Sequence, residues 1–249
     1  MSKIVYEKTK GLTDNPFSYC PGCTHGIIHK LVAEVLEEMN LLDKAVGLAS
    51  VGCSVTSYNY FNCDMVQASH GRACAVATGI KRTHPDNFVF TYQGDGDLAS
   101  IGIAETIHAA NRGENITVIF INNGIYGMTG GQMAPTTLLG KKTTTSPFGR
   151  NVEDHGMPIK ISEMFATIPK VAYLERVSVG KPQSHRKIKA SLRKAFQYQL
   201  DKKGFTMIEF LSSCPINWGM TPIEAINYVE KEMTVYYPLG VYKDVGSDD

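Results

Sequence analysis

The stretch that most constrains this chain runs from Thr91 to Gln132: TYQGDGDLASIGIAETIHAANRGENITVIFINNGIYGMTGGQ. Residues 87–92 (NFVFTY) form a short apolar run rich in β-formers, which predicts a buried strand. Gly94, Asp95 and Gly96 follow, and residues 98–111 carry apolar and small side chains at helical spacing. Residues 116–121 (ITVIFI) predict a second buried strand, ending at Asn122-Asn123. Strand, glycine turn, helix and strand make one right-handed crossover of a parallel sheet. The turn would place backbone N–H groups and the positive end of a helix where a phosphate can sit. Asp95 and Asn123 fall at the carboxyl ends of the two strands, where their oxygens could hold a Mg²⁺ that bridges a diphosphate.

The rest of the chain predicts further alternation of strands and helices. A polar lead-in (1–19, with a turn at 13–16) precedes the cysteine turn Cys20-Pro21-Gly22-Cys23, and Thr24 is placed to cap a helix to about residue 39, with Ile27, Leu31, Val35 and Met39 on one stripe. Residues 45–51 read as a strand, 70–83 (HGRACAVATGIKRT) as a small-residue helix, and 124–151 as a Gly/Thr/Pro-rich loop long enough to be functional. A strand at 171–177, a helix at 184–200, a strand at 206–211 and a short helix from Thr221-Pro222 to 232 follow. The Tyr-rich tail 233–249, expected to pack on partner subunits, ends in charged residues that read as disordered. No linker or repeat interrupts this order, which predicts one doubly wound, mostly parallel α/β domain over 1–249.

Composition limits the function classes. Lys+Arg 25 against Asp+Glu 24 leaves no basic excess, which argues against nucleic acid or a membrane surface. The longest apolar runs are six or seven residues, too short to span a bilayer, and the first residues lack a signal core, so a cytoplasmic location is expected. Six cysteines then point to metal or catalysis before disulfides. Cys20, Cys23, Cys53 and Cys214 stand in turns or at strand ends, and a parallel sheet crowds such turns onto one edge. Four thiolates fit Zn²⁺ or a [4Fe–4S] cluster. A redox dithiol at CPGC is the rival reading, and it leaves Cys53 and Cys214 unused. His25 and His29 share a helix face near the pair and are candidate zinc ligands or bystanders, while Cys63 and Cys74 read as buried thiols.

Residues 97–121 separate Gly96 from the Asn pair, and this GDG-to-NN interval resembles the signature of thiamine-diphosphate enzymes. The bland alternative is an ordinary βαβ unit ending in an Asn-Gly turn; neither GxxxxGK[ST] nor GxGxxG is present. Together with CPGCTHG, HGRACAVATG, NNGIYGMTGGQMAPTT, TTTSPFGR and CPINWGMTP, the chain resembles the β, thiamine-binding subunit of a 2-oxoacid:ferredoxin oxidoreductase. That resemblance implies the diphosphate-binding half of the thiamine fold, and an enzyme subunit that oxidatively decarboxylates a 2-oxoacid to acyl-CoA and CO₂ with electrons passing to ferredoxin. It implies a [4Fe–4S] cluster on Cys20, Cys23, Cys53 and Cys214, and Mg²⁺ on Asp95, Asn123 and the Ile125 carbonyl. It further implies a diphosphate pocket lined by Gly94, Gly96 and Asp97, bordered by His70, Gly71 and Arg72 and by Tyr126, Gly127, Met128 and Thr129. The glutamate that activates the cofactor is expected on an α subunit, with γ and ferredoxin-like subunits as further partners; no catalytic residue is assigned in this chain. The CPINWGMTP and CSVTSYNYF segments resemble members that act on branched-chain 2-oxoacids such as 2-oxoisovalerate or on 2-oxoglutarate; a branched-chain acid is favoured because the YGMTGGQ loop and the residues after Cys53 carry no Lys or Arg, apart from Lys141 and Lys142 further along. A non-redox thiamine decarboxylase and a zinc-stabilised structural subunit are the alternatives.

Overall fold

The crossover predicted around Gly94 forms, and it lies at the centre of a larger sheet. A computed structural model describes residues 7–246. In chain order the strands are β1 (Ala45–Ala49), β2 (Asp64–Gln67), β3 (Phe88–Gly94), β4 (Thr117–Asn122), β5 (Ile125–Tyr126), β6 (Gln132–Met133), β7 (Val171–Ser178), β8 (Phe205–Leu211) and β9 (Gly240–Asp244). β5 and β6 form a separate antiparallel pair; the other strands make one sheet in the order β2-β1-β3-β4-β8-β7-β9. Every neighbouring pair in it is parallel except β7 and β9. The helices used below are α1 (His25–Glu38), α2 (Ala73–Thr83), α3 (Ile103–Arg112), α4 (Val152–His155), α5 (Ile161–Ala166), α6 (His185–Leu200), α7 (Pro215–Trp218) and α8 (Pro222–Tyr228).

Helices cover both faces, so the central strands bury both sets of alternating side chains and read as continuous apolar runs. From β3, Phe88, Phe90 and Tyr92 join α1 and α6 in one core, with Ile28, Leu31, Val32, Leu192 and Phe196. Val89 points the other way, to a second core with Val118 and Phe120 of β4 and Ala77, Ala109 and Phe165 of α2, α3 and α5. This is the predicted doubly wound architecture, with the strands' carboxyl ends left to carry a site.

Several local expectations change. Thr24 occupies the N-cap position of α1, but its hydroxyl makes no cap bond; it meets Ser212 Oγ at 2.6 Å and accepts from the Ser213 N–H at 3.2 Å, because a tertiary tie to the end of β8 competes for it. The helix after GDG opens as a π-turn at Asp97–Ile101, closed by the Gly102 N–H on the Asp97 carbonyl, and α3 begins only at Ile103. α2 starts at Ala73, leaving His70 and Gly71 in the preceding turn. Edge strand β2, with its exposed polar residues, lacks the alternation that would have betrayed it. Thr221 does cap α8, in a full capping box with Glu224. The tail is ordered as far as described: β9 pairs with β7 of the chain's own sheet. The first residues of the lead-in (1–6) and the charged end of the tail (247–249) lie outside the described residues. Among the described residues no helix is long and apolar enough to cross a membrane.

Candidate functional site

Asp95 and Asn123 follow neighbouring strands, β3 and β4, and the register that pairs Gly94 with Ile121 sets them side by side. Asp95 is 2% exposed. One carboxylate oxygen accepts the Gly96 N–H at 2.8 Å; the other accepts the Gly124 N–H at 2.6 Å and the Thr136 hydroxyl at 2.7 Å. Burial pushes its pKa up to about 6 in spite of those donors. All three donors are neutral, so the carboxylate is a buried charge without a cationic partner, an arrangement that costs several kcal/mol unless a cation arrives. Asn123 is buried beside it, its side-chain oxygen accepting the Ile125 N–H at 3.2 Å. A cavity of about 120 Å³ opens here, lined by Gly94, Asp95, Gly96, Asp97, Asn123, Ile125, His70 and the 126–129 loop, with His25, Val51, Gly52, Cys53 and Ser54 opposite. Among the described residues, no Lys or Arg lines it.

Of the 70–72 turn, His70 lines the cavity and its Nδ1 lies 2.6 Å from Asp97 Oδ1, which also accepts the Gly71 N–H at 2.7 Å. Gln93 Nε2 donates to the other Asp97 oxygen at 2.7 Å. Asp97 is thereby a buried organiser of the turn. Gly71 and Arg72 do not line the cavity. Gly71 (φ +77°) lets the turn press on Gly102, where a Cβ would sit 2.8 Å from the Gly102 nitrogen. Arg72 ion-pairs with Glu105 of α3, drawn outward by the nearest carboxylate. In the loop, the Tyr126 ring lies over Gly96, where a Cβ would meet the ring at 2.2 Å. Met128 is half exposed at the mouth, and the Thr129 hydroxyl is used within the loop, donating to Gln132 Oε1 at 2.6 Å.

The four predicted cysteines do come together. Cys20, Cys23, Cys53 and Cys214 line one cavity of about 140 Å³, and all are free thiols. Hydrogen bonds clip the CPGC turn to the end of β8: Ser213 Oγ donates to the Gly22 carbonyl at 2.7 Å, beside the Thr24–Ser212 contact. Tyr19 ties the turn to the end of β1, its hydroxyl donating to the Cys53 carbonyl at 3.2 Å. Burial raises the thiols of Cys23 to about 12 and Cys53 to about 11, so metal binding here would displace protons. Cys214 is raised as well, by burial, against hydrogen bonds from Asn217. A Cβ at Gly127 would lie 3.3 Å from the Cys53 sulfur and 3.4 Å from that of Cys214, so the loop backbone rests directly on two of the four. Of the other two cysteines, Cys74 is buried as expected, while Cys63 is only partly buried.

His25 and His29 lie inside the fold, 2% and 0% exposed, where the spacing alone suggested a helix surface. His25 Nδ1 meets the Tyr92 hydroxyl at 2.8 Å and His29 Nε2 the Tyr19 hydroxyl at 2.7 Å. Burial lowers both imidazoles, His25 to about 4. They are parts of an aromatic stack with Tyr19 and Tyr92, and His25 forms wall in both cavities. Sequence reasoning missed Thr136 on Asp95 and Asn217 on Cys214. Both stand inside segments (APTT and CPINWG) whose residue types stood out, but their partners are set by folding.

Comparison with known proteins agrees with the fold. A model of the thiamine pyrophosphate enzyme C-terminal TPP-binding domain covers residues 48–210. The chain is 45% identical over 98% of its length to the ketoisovalerate oxidoreductase subunit VorA of Methanothermobacter marburgensis, of which it covers 51%. It is 37% identical over 94% of its length to the 2-oxoglutarate synthase subunit KorB of Methanocaldococcus jannaschii, covering 83% of that protein. The chain thus spans about half the length of the ketoisovalerate relatives it matches. Among solved structures, the 2-oxoglutarate:ferredoxin oxidoreductase from Magnetococcus marinus with 2-oxoglutarate, coenzyme A and succinyl-CoA bound superposes with a TM-score of 0.80 at 25% identity, over 95% of this chain and 84% of that one. With a thiamine-domain match over most of the sheet and relatives of this kind along nearly its whole length, the chain belongs to the family of 2-oxoacid:ferredoxin oxidoreductase subunits that carry the thiamine-pyrophosphate-binding domain.

Proposed function

We propose that this chain holds Mg²⁺, thiamine diphosphate and a [4Fe–4S] cluster for the oxidative decarboxylation of a branched-chain 2-oxoacid to acyl-CoA, with ferredoxin as electron acceptor. The observation that carries the reading is the shared wall: His25, Cys53, Asn123, Gly127 and Met128 line both the Asp95 cavity and the four-cysteine cavity. Thiamine diphosphate would supply the carbanion chemistry that cleaves the 2-oxoacid, and the cluster a one-electron acceptor next to it. The residues fit both groups. Asp95, Asn123 and the Ile125 carbonyl offer hard oxygen ligands to Mg²⁺, and the Asp95 carboxylate lacks any other cation. Gly94, Gly96 and Asp97 shape the diphosphate end, and His70, fixed by Asp97, borders it.

Cys20, Cys23, Cys53 and Cys214 surround a volume, which suits a multi-iron cluster better than the tight tetrahedron of Zn²⁺. An isolated dithiol at CPGC leaves Cys53 and Cys214 in the same cavity without a role. The substrate preference follows from charge: neither cavity wall holds a Lys or Arg that would pair with the second carboxylate of 2-oxoglutarate. Lys141 lines neither cavity; its ammonium lies 4.4 Å from the centre of the Tyr228 ring. An α subunit would add the activating glutamate, and γ and ferredoxin-like subunits the onward electron path.

The test is iron and sulfide analysis of anaerobically purified protein, together with turnover in the partner-reconstituted enzyme. About four irons and four sulfides, with CoA-dependent viologen reduction faster on 2-oxoisovalerate than on 2-oxoglutarate, is the expected result. Zinc in place of iron would remove the redox reading. A preference for 2-oxoglutarate would move the specificity to a cation from the partner.

A further inference from the structure

We propose that Asn217 is a positioning residue that sets the reduction potential of the cluster, through an N–H···S hydrogen bond from its side-chain amide to Cys214. The inference rests on the [4Fe–4S] reading above. Asn217 Nδ2 lies 3.3 Å from the Cys214 sulfur and 2.8 Å from the Gly127 carbonyl oxygen. A primary amide has two hydrogens, so one can serve each acceptor at the same time. The placement is built into the fold. Cys214 is the N-cap residue of α7, so Asn217 stands one turn later on the same side, and Gly219 closes the helix in the left-handed region at φ 62°. From the opposite side the 127–131 loop holds the amide in place: a Cβ at Gly131 would lie 3.0 Å from Asn217 Oδ1. Among the described hydrogen bonds, Cys214 is the one of the four cysteines whose sulfur receives a side-chain N–H.

The chemistry follows from where charge accumulates. Reduction of a cluster places added negative charge partly on its cysteine sulfurs, so a donor aimed at one of them stabilises the reduced state more than the oxidised state and raises the potential. The same donation favours thiolate over thiol, and it opposes the upward pull that burial exerts on Cys214. Because the other hydrogen of the amide is fixed on Gly127, the donor's aim depends on the loop that walls the thiamine cavity. Asn217 thereby joins the two cavities by a direct bond on each side.

The experiment is a dye-mediated reductive titration of the full chain carrying its cluster, read by absorbance and electron paramagnetic resonance, for the wild type, Asn217→Leu and Asn217→Asp. Both variants keep the volume roughly and remove the side-chain donor. The expected result is unchanged iron and sulfide with a reduced-to-oxidised ratio, at fixed applied potential, about tenfold lower in Asn217→Leu; for a one-electron couple that is about 59 mV. Asn217→Asp should lie at least as low, since a carboxylate oxygen would then face the sulfur. A full iron complement with an unmoved potential in both variants overturns the proposal. Loss of iron in both overturns it too, and makes Asn217 a structural prop of the Cys214 turn. A wild-type chain without iron would sink the cluster reading itself, before any variant is compared.

Discussion

At the scale of single residues, Asp95 carries the heaviest demand. Its carboxylate sits 2% exposed among three neutral donors, with its pKa pushed up to about 6 by burial. Asp95→Asn keeps the shape and removes the charge. It should weaken Mg²⁺-dependent thiamine diphosphate binding by more than the roughly 10–100-fold typical of a change one step removed from the metal. The metal-free protein should change little in stability, because loss of an uncompensated buried charge offsets the acceptor that the amide nitrogen cannot offer to one of the two sets of donors. Isothermal titration with and without Mg²⁺, beside a melting curve, checks both halves; equal affinity in the variant would remove Asp95 from the metal site. The position of Asp95 at a strand end was legible in the sequence because an apolar run followed by a glycine turn marks where a strand stops; its expected role came from the GDG-to-NN spacing and not from the turn alone. Its partner Thr136 was not legible, since nothing in a Gly/Thr/Pro-rich stretch tells which hydroxyl will fold back across 41 residues. Arg72 shows the opposite failure: its position beside His70 suggested the pocket, and the carboxylate of Glu105 pulled it away.

Among elements, the segment between β4 and β7 was least legible, having no period to read. What orders it is Arg150, 5% exposed, whose guanidinium donates to the carbonyls of Pro135 and Thr137 at 2.8 Å, Met157 at 2.9 Å and Gly156 at 3.0 Å. One planar fork satisfies a ring of backbone acceptors that no strand or helix serves. Arg150→Gln should leave several of them unpaired and cost about 2–4 kcal/mol, with faster amide exchange confined first to residues 134–157; chemical denaturation and exchange mass spectrometry read it out. At the other edge, Glu114 joins α2 and α3 by accepting from Arg112 Nε at 2.7 Å and Arg82 Nη2 at 2.5 Å. Burial tends to raise its pKa, and the two arginines outweigh that and hold it below the ordinary carboxylate range. A depressed folded pKa means the stabilisation is complete above the unfolded value and is lost as pH falls through the folded one. Wild type should therefore lose stability more steeply than Glu114→Gln below about pH 4.5, by about 1 kcal/mol or less because Arg82 and Arg112 are largely exposed. Parallel slopes in the two proteins would show that the clamp carries no proton linkage. The central helices and strands were legible because burial on both faces writes itself into composition; the π-turn at Asp97–Ile101 was not, since Gly102, which closes it, packs against Gly71 from the turn before α2, a contact made only on folding.

For the whole molecule, the question is what the fold leaves undone. It brings the Asp95 cavity and four thiols to one edge of one sheet, yet among the described residues no glutamate lines the Asp95 cavity. Two buried or paired glutamates are committed elsewhere: Glu209 accepts from Arg176 Nε at 2.8 Å and from Asn122 Nδ2 at 2.8 Å, and Glu105 pairs with Arg72. Two large apolar side chains at the four-cysteine cavity, Met128 and Ile216, are half or more exposed, the character of a surface that another polypeptide covers. A group that moves a proton on the bound cofactor is worth about 10²–10⁴ in rate, so a chain lacking it can bind without turning over. The described chain alone should accordingly bind thiamine diphosphate with Mg²⁺ and release no CO₂ from 2-oxoisovalerate above background. Addition of an α subunit should raise that rate at least about 100-fold, and substituting the partner's activating glutamate should remove the gain while binding persists. Labelled-CO₂ release from carboxyl-labelled substrate, with viologen as the acceptor, measures it. Appreciable release by the chain by itself would mean that the proton-moving group is already here, with His70 or His25 at the cavity wall the first positions to substitute.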